Sequence, residues 1–149
     1  MIRQYASYLL LGFCALAYGS KSALAQTDAL ERNLWYNDEK TAKIQIYKAV
    51  DHKFYGKIVW LKTPNENGKP RTDIHNPDKK HQNDALLGLV ILRGFEKDGE
   101  NGYEGGTVYD PKNGKTYKCI MTAKGDKVDV RGYVGFSLIG RTATWTKAE

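Results

Sequence analysis

The sequence predicts an all-β protein built as a single antiparallel eight-stranded β-barrel. Three observations support this: short segments alternate apolar and polar residues, helical periodicity is almost absent, and glycines interrupt the strand segments. Interior glycines are tolerated where a sheet coils sharply, so they favour a closed barrel over a flat sandwich. The eight predicted strands cover about residues 34–37, 41–49, 54–61, 88–95, 103–109, 115–122, 127–133 and 140–146.

The clearest hairpin signal lies between Tyr109 and Tyr117, where two tyrosine-ended strands flank a turn. Pro111 fixes φ near about −65°, which suits an early turn position. Asn113 and Gly114 tolerate positive φ, as the return into the next strand requires. We therefore predict a tight hairpin with Gly114 in the left-handed region.

The alternation also predicts which side chains point into the barrel, because successive residues of a strand face opposite sides. The segment from Leu86 to Leu92 does not alternate. It is apolar on both faces, which indicates a strand covered on both sides. The predicted inward residues are Ile44, Ile46, Ile58, Trp60, Tyr117, Cys119, Met121, Val128, Val130, Ala143 and Trp145.

One long irregular stretch, residues 62–85, interrupts the strand pattern. Loops of this length in compact domains are usually functional lids or disordered segments. Asn76 resembles a helix N-cap, and Pro77 follows it at the first helical position. We predict a short helical turn over about residues 77–83, lying over one end of the barrel.

The same loop holds the residue types that could carry chemistry. Asp73, His75, Asp78, His81 and Asp84 are of the kinds that ligate metals, but their spacing is irregular, so we predict neither a metal site nor a cofactor. No pattern of nucleophile, base or phosphate loop is present in the sequence. A mid-strand, inward-facing cysteine such as Cys119 behaves as a small buried hydrophobe.

Residues 1–25 have the composition of a signal peptide. Arg3 gives the positive n-region, residues 8–18 form an apolar h-region, and Ala23-Leu24-Ala25 is the cleavage motif. The apolar run is too short to span a bilayer as a helix. We predict cleavage before Gln26, a single domain over residues 26–149 without a transmembrane segment, and a periplasmic or secreted location.

Charge and cysteine content narrow the possible partners of the exported chain. The net charge of +6 falls to +4 when Arg3 and Lys21 leave with the signal peptide. Basic residues are scattered among acidic ones, so we predict no nucleic-acid partner. Loss of Cys14 leaves Cys119 without an intrachain disulfide partner.

Trp35 and Arg141 form a pair of interest, because the first and last strands of a closed barrel are neighbours. A guanidinium over the indole ring would be a cation–π contact at the barrel base. The alternative is that the two side chains lie separately at strand ends.

Several sequence blocks together resemble a family of exported bacterial proteins, the domain-of-unknown-function family 2147. The resemblance covers nearly all of the chain after the predicted signal peptide and implies a lipocalin-like eight-stranded barrel with no assigned activity. Lipocalins carry Gly-x-Trp in the first strand and a late arginine; this chain has Asn33-Leu34-Trp35 and Arg141. The blocks are 73–77, Gly88, Gly94-Phe95, 109–117, Arg131-Gly132-Tyr133, Gly140-Arg141-Thr142 and Trp145.

We interpret the chain as a binding module whose barrel holds a small, largely apolar ligand. Interior glycines that leave space and a long loop that could act as a lid favour a cavity. One alternative is a filled barrel with a structural or interaction role, with Tyr36, Tyr55 and Tyr133 as outer contacts. Another is a hydrolase that uses the loop from Asp73 to Asp84. The predicted ligand-binding residues are Ile46, Ile58, Trp60, Tyr117, Met121 and Trp145.

The export prediction is tested by the intact mass of the protein recovered from its host. We expect a chain that begins at Gln26, because the cleavage motif follows the h-region at the usual spacing. A recovered protein that still carries residues 1–25 would contradict cleavage.

Overall fold

The computed structural model describes residues 28–149, and within this range it contains ten strands and one 3₁₀ turn. No helix in that range is long and apolar enough to cross a membrane. The predicted signal peptide, residues 1–25, lies outside the described residues. The strands are β1 (Leu34–Tyr36), β2 (Ala42–Lys48), β3 (Phe54–Leu61), β4 (Asn65–Glu66), β5 (Lys69–Pro70), β6 (Val90–Asp98), β7 (Gly102–Asp110), β8 (Lys115–Lys124), β9 (Lys127–Tyr133) and β10 (Gly140–Lys147); the 3₁₀ turn is Lys79–His81.

Eight of these strands close into an antiparallel barrel in the order β1-β10-β9-β8-β7-β6-β3-β2. This confirms the predicted fold class, and each predicted strand corresponds to one barrel strand. Strands β4 and β5, which the sequence did not predict, have two residues each and form a separate hairpin within the long loop.

The two ends of the barrel differ in how they are covered. The turns after β2, β6 and β8 lie at one end, which we call the closed end, and residues 28–33 fold across it. There Asp28 accepts hydrogen bonds from Tyr103 (2.5 Å) and Lys97 (2.5 Å), and Leu30 is fully buried. Burial raises the pKa of Asp28, but the hydrogen bonds that it accepts outweigh burial and lower that pKa below its usual value.

The turns after β1, β7 and β9 and the long loop between β3 and β6 lie at the other end, which we call the open end. Most of the predicted inward side chains pack in the core between the ends, as the alternation requires. The predicted residues that are buried in this core are Ile44, Ile46, Ile58, Cys119, Met121, Val128, Val130 and Trp145.

Trp60 was predicted to point inward, and this prediction is wrong. The pairing of β2 with β3 shifts register between Lys43 and Ile44, so that Ile58 pairs with Ile44 and Trp60 pairs with Lys43. The extra residue in β3 changes which face later side chains occupy. Leu61 is buried as a result, whereas Trp60 is 38% exposed on the outer surface.

Two of the interior glycines, Gly56 and Gly106, do not leave empty space inside the barrel. A β-carbon on Gly56 would lie 2.8 Å from Cδ1 of Leu92, and one on Gly106 would clash with the ring of Phe95. Leu92 and Phe95 are themselves fully buried. These two glycines therefore make room for neighbouring side chains and leave no cavity beside them.

The long loop lies against the outer wall of the barrel, not over its end as predicted. Asn76 and Pro77 line a pocket with Arg93 and Thr107, which face outward from β6 and β7. The predicted helical turn is a single 3₁₀ turn, and its N-cap is Asp78, whose carboxylate accepts from the Lys80 N–H. The predicted cap, Asn76, instead accepts from the N–H of Asp78.

Trp35 and Arg141 lie apart, so the second of the two alternatives for this pair is correct. Trp35 pairs with Lys147 near the closed end and is 1% exposed. The Arg141 side chain is 88% exposed at the open end, where it faces Asp38 at 3.9 Å.

We expect Gly114→Ala to destabilise the protein more than Gly125→Ala. Both glycines have positive φ in hairpin turns, but a β-carbon on Gly114 would also clash with the His75 carbonyl, whereas Gly125 faces open space. Strain alone costs about 1 kcal/mol, and the clash raises the loss at Gly114 to roughly 3 kcal/mol. Urea denaturation of both variants measures this, and equal losses would mean that the loop does not pack on the turn.

Candidate functional site

Along β8 and β10 the inner wall of the barrel becomes more exposed toward the open end, whereas Ala42 of β2 and Leu61 of β3 stay buried at that end. Along β8, Met121 and Cys119 are fully buried and Tyr117 is half-buried. Along β10, Trp145 is buried, Ala143 is half-buried and Arg141 is exposed. Because solvent reaches an inward side chain of a closed barrel only through an end, this gradient marks a recess on the β8–β10 side of the open end.

Small and apolar residues form the wall of this recess. Gly132 pairs with the buried Cys119, and a β-carbon on it would lie 3.4–3.5 Å from the side chains of Val108 and Tyr117. Val108 and Ala143 are partly buried against the core. The recess thus has an apolar wall, with the Tyr117 hydroxyl and the Arg141 guanidinium as polar groups toward the rim.

An ion pair crosses the mouth of the recess. Lys112 in the β7–β8 turn donates to Glu39 in the β1–β2 turn over 2.5 Å. These turns lie on opposite sides of the barrel, since three strand-to-strand steps separate them in either direction. The hydrogen bond from Lys112 lowers the pKa of Glu39 below its usual value, and the charge of nearby Arg141 adds to this.

The six predicted ligand-binding residues do not form one site. Ile46, Ile58, Met121 and Trp145 belong to the packed core beneath the recess. Tyr117 lies in the recess wall, and Trp60 lies outside the barrel. The sequence did not predict the contact between Glu39 and Lys112 at the mouth. The two residues are 73 positions apart, and no local pattern connects them.

On the outer wall, a buried carboxylate holds the long loop against the barrel. Asp73 is 0% exposed, and it accepts from the Tyr109 hydroxyl at 2.8 and 2.9 Å and from Asn76 at 2.8 Å. Burial and the bond to Asp73 raise the pKa of Tyr109 to about 12. This contact joins the two sequence blocks, 73–77 and 109–117, that carry much of the family resemblance.

Three of the other acidic and histidine residues of the loop, Asp78, His81 and Asp84, have separate local partners. His81 and Asp84 form an exposed pair at 2.7 Å, and the hydrogen bond to the Asp84 carboxylate raises the pKa of His81. Asp78 caps the 3₁₀ turn. Among residues 28–149, no group of three or more His, Cys, Asp or Glu is arranged to hold a metal ion.

Cys119 is poorly suited to act as a nucleophile. Its side chain is fully buried, and burial raises the pKa of the thiol to about 12. The thiolate is the reactive form of cysteine, so this thiol is inert near neutral pH.

A shallow pocket of about 200 Å³ lies between the long loop and the outer wall. Leu89 and Val90 give it an apolar part, and Arg93, Thr107 and Tyr109 give it polar groups. Asn76, Pro77 and Tyr109 also line it, and the sequence pattern assigned these residues to a helix start and a hairpin, not to a pocket.

The outer face of the first three strands carries aromatic rings beside lysines. Trp60 packs edge-on to Tyr36, with ring centroids 6.0 Å apart, and Lys43 lies over both rings. Tyr47 stacks on Tyr55, also at 6.0 Å. Within each pair, the two rings cover part of each other, so Trp60 is only partly exposed although it lies on the outer surface.

Comparison with known families finds a match over most of the described residues. A family described as "Uncharacterized protein conserved in bacteria (DUF2147)" matches residues 33–147. The chain belongs to this family. The match confirms the resemblance inferred from the sequence blocks, and it covers every barrel strand of this DUF2147 protein.

A solved structure has a similar fold. It is described as protein HP1028 from the human pathogen Helicobacter pylori, belonging to the lipocalin family. The two are 22% identical, with a TM-score of 0.71 over 83% of this chain and 85% of that one. This likeness supports a lipocalin-like fold for the DUF2147 chain. No curated protein matches it.

We expect Tyr109→Phe to destabilise the protein by about 1–3 kcal/mol, because the buried Asp73 loses the hydroxyl donor to Oδ1, while Oδ2 keeps the Asn76 amide. Tyr55→Phe is the matched control, since it removes a tyrosine-to-aspartate bond to the exposed Asp51. Thermal denaturation should show a lower midpoint for Tyr109→Phe and little change for the control. Equal midpoints would show that the Asp73 contact does not stabilise the fold.

Proposed function

We propose that this DUF2147 protein binds a small, largely apolar ligand in the recess at the open end of its barrel. The observation that supports this is the exposure gradient on the inner wall, from buried Met121 and Trp145 to partly exposed Tyr117 and Ala143. Sites for small molecules are concave and mostly apolar, with a few polar groups that orient the ligand. The recess has this character.

The packed core beneath the recess limits the size and depth of the ligand. Leu92 and Phe95 occupy the space that Gly56 and Gly106 provide, so the ligand would stay in the outer part of the barrel. Ile58, Met121 and Trp145 would form the floor and act through packing, while Val108, Tyr117 and Ala143 would contact the ligand.

The ion pair between Glu39 and Lys112 would control entry. It spans the mouth, and both side chains are about half exposed or more. An exposed pair of this kind is weak and opens readily. Ligand exchange would then require only that two side chains separate, without movement of the barrel strands.

We also propose that the protein is exported and acts in the periplasm or outside the cell. The signal peptide predicted from residues 1–25 supports this location. A module that carries an apolar molecule through an aqueous compartment needs a shielded recess, so location and ligand binding fit together.

A filled barrel with a structural role is the second candidate function. The packing around Gly56 and Gly106 favours it, because neighbouring side chains already occupy the space beside both glycines. The two functions differ in whether the recess takes up a ligand at all.

We expect Ala143→Trp to weaken binding of cis-parinaric acid, a fluorescent fatty acid, by about tenfold or more, because the indole would occupy the recess. Thr144→Trp is the matched control: it lies next in sequence but faces outward, where its hydroxyl contacts Asp129. Fluorescence titration of the native protein and both variants gives the dissociation constants.

Two results would contradict the proposal. If Ala143→Trp binds the probe as well as the native protein does, the ligand does not enter the recess. If the native protein shows no saturable binding, the filled barrel is the better description.

A further inference from the structure

The loop between β9 and β10 exposes a cluster of large apolar side chains. From Tyr133 to Gly140 the chain has no charged residue, although charged residues make up 27% of the sequence. Single exposed apolar residues are common on protein surfaces, but a cluster of them marks an interaction site. The exposed fractions are 68% for Val134, 79% for Phe136, 90% for Leu138 and 69% for Ile139.

Hydrogen bonds hold this loop in a defined shape. The N–H of Val134 donates to the Ile139 carbonyl, and the N–H of Ile139 donates to the Phe136 carbonyl. The Arg131 guanidinium donates to the carbonyls of Ser137 at 2.8 Å and Leu138 at 3.2 Å. These bonds engage the carbonyls of Phe136, Ser137, Leu138 and Ile139, while the apolar side chains face solvent.

The strands next to the loop are basic, and the acidic residues of the β1–β2 turn at this end, Asp38 and Glu39, face Arg141 and Lys112. Residues 111–125 and 130–148 contain no aspartate or glutamate. The acidic residues of the β8–β9 region, Asp126 and Asp129, lie toward the closed end. The basic residues of the open half of these strands and turns are Lys112, Lys115, Lys118, Arg131 and Arg141.

We propose that residues 134–139 dock the protein onto a lipid bilayer that carries anionic headgroups. The apolar side chains would enter the interfacial region of the bilayer, and the flanking basic residues would contact the headgroups. The loop lies at the open end, so docking turns the barrel mouth toward the membrane. This inference does not depend on whether the recess holds a ligand.

The size of the loop favours a lipid surface over a second protein surface. A stable protein interface takes about 800 Å² from each partner. A six-residue tip is narrower than that, but its four large side chains can each insert between headgroups. Each basic residue near an anionic membrane adds to the attraction.

The test is binding of the processed protein to vesicles of phosphatidylcholine alone and of phosphatidylcholine mixed with phosphatidylglycerol. We expect stronger binding to the mixed vesicles and weaker binding at high salt. The double variant Phe136→Ser/Leu138→Ser should bind about tenfold more weakly or worse, because the two most exposed of the four apolar side chains are lost. These side chains are exposed, so the variant should keep its melting temperature.

Two controls match these changes at the closed end. Val50→Ser removes an apolar side chain that is 99% exposed in the β2–β3 turn, and it should bind like the native protein. Lys118→Gln should weaken binding to the mixed vesicles, whereas Lys127→Gln, beside the closed end, should not.

Three outcomes would overturn the proposal. One is equal vesicle binding by the native protein and Phe136→Ser/Leu138→Ser. A second is binding that does not depend on phosphatidylglycerol. The third is a concentration-dependent dimer, detected by analytical ultracentrifugation without lipid and lost in the double variant, which would assign the loop to contacts between copies of the chain.

Discussion

The barrel depends on the hydrogen bond from the Trp35 indole N–H to the Leu30 carbonyl, 2.9 Å long and fully buried. Strand β1 has only three residues, yet it pairs with both β2 and β10 and so closes the sheet. A buried indole N–H needs an acceptor, and Leu30 supplies it from the segment that covers the closed end. Closure removes exposed sheet edges and makes the interior reachable only from the ends.

From that closure follows a division between the two ends. The closed end is plugged by residues 28–33, with Asp28 bonded to Lys97 and Tyr103. The open end has the apolar recess, the ion pair across its mouth and the apolar loop. If the apolar loop, residues 134–139, meets a membrane, the recess faces the same membrane surface. A carrier of apolar molecules needs this arrangement.

The outer wall adds a second organising contact. The buried carboxylate of Asp73 ties the long loop to Tyr109, while the turn at Gly114 packs beneath the His75 carbonyl. A buried carboxylate is stable only when hydrogen bonds satisfy it, so the loop and the hairpin stabilise each other. The long loop is therefore part of the wall, and the mouth is left to the side chains of the shorter turns.

The sequence by itself determined the fold class, the eight strands and most inward residues, because apolar alternation is a local property that a strand must satisfy. Ile44, Ile46 and Met121 were predicted on that basis. Trp60 was not, because a bulge, set by pairing with β2, moves later residues to the other face. Only the tertiary structure decided which space the glycines leave, where the loop lies and which charges meet across the mouth. Those depend on contacts between residues far apart in sequence, such as Glu39 and Lys112, and local patterns carry no information about them.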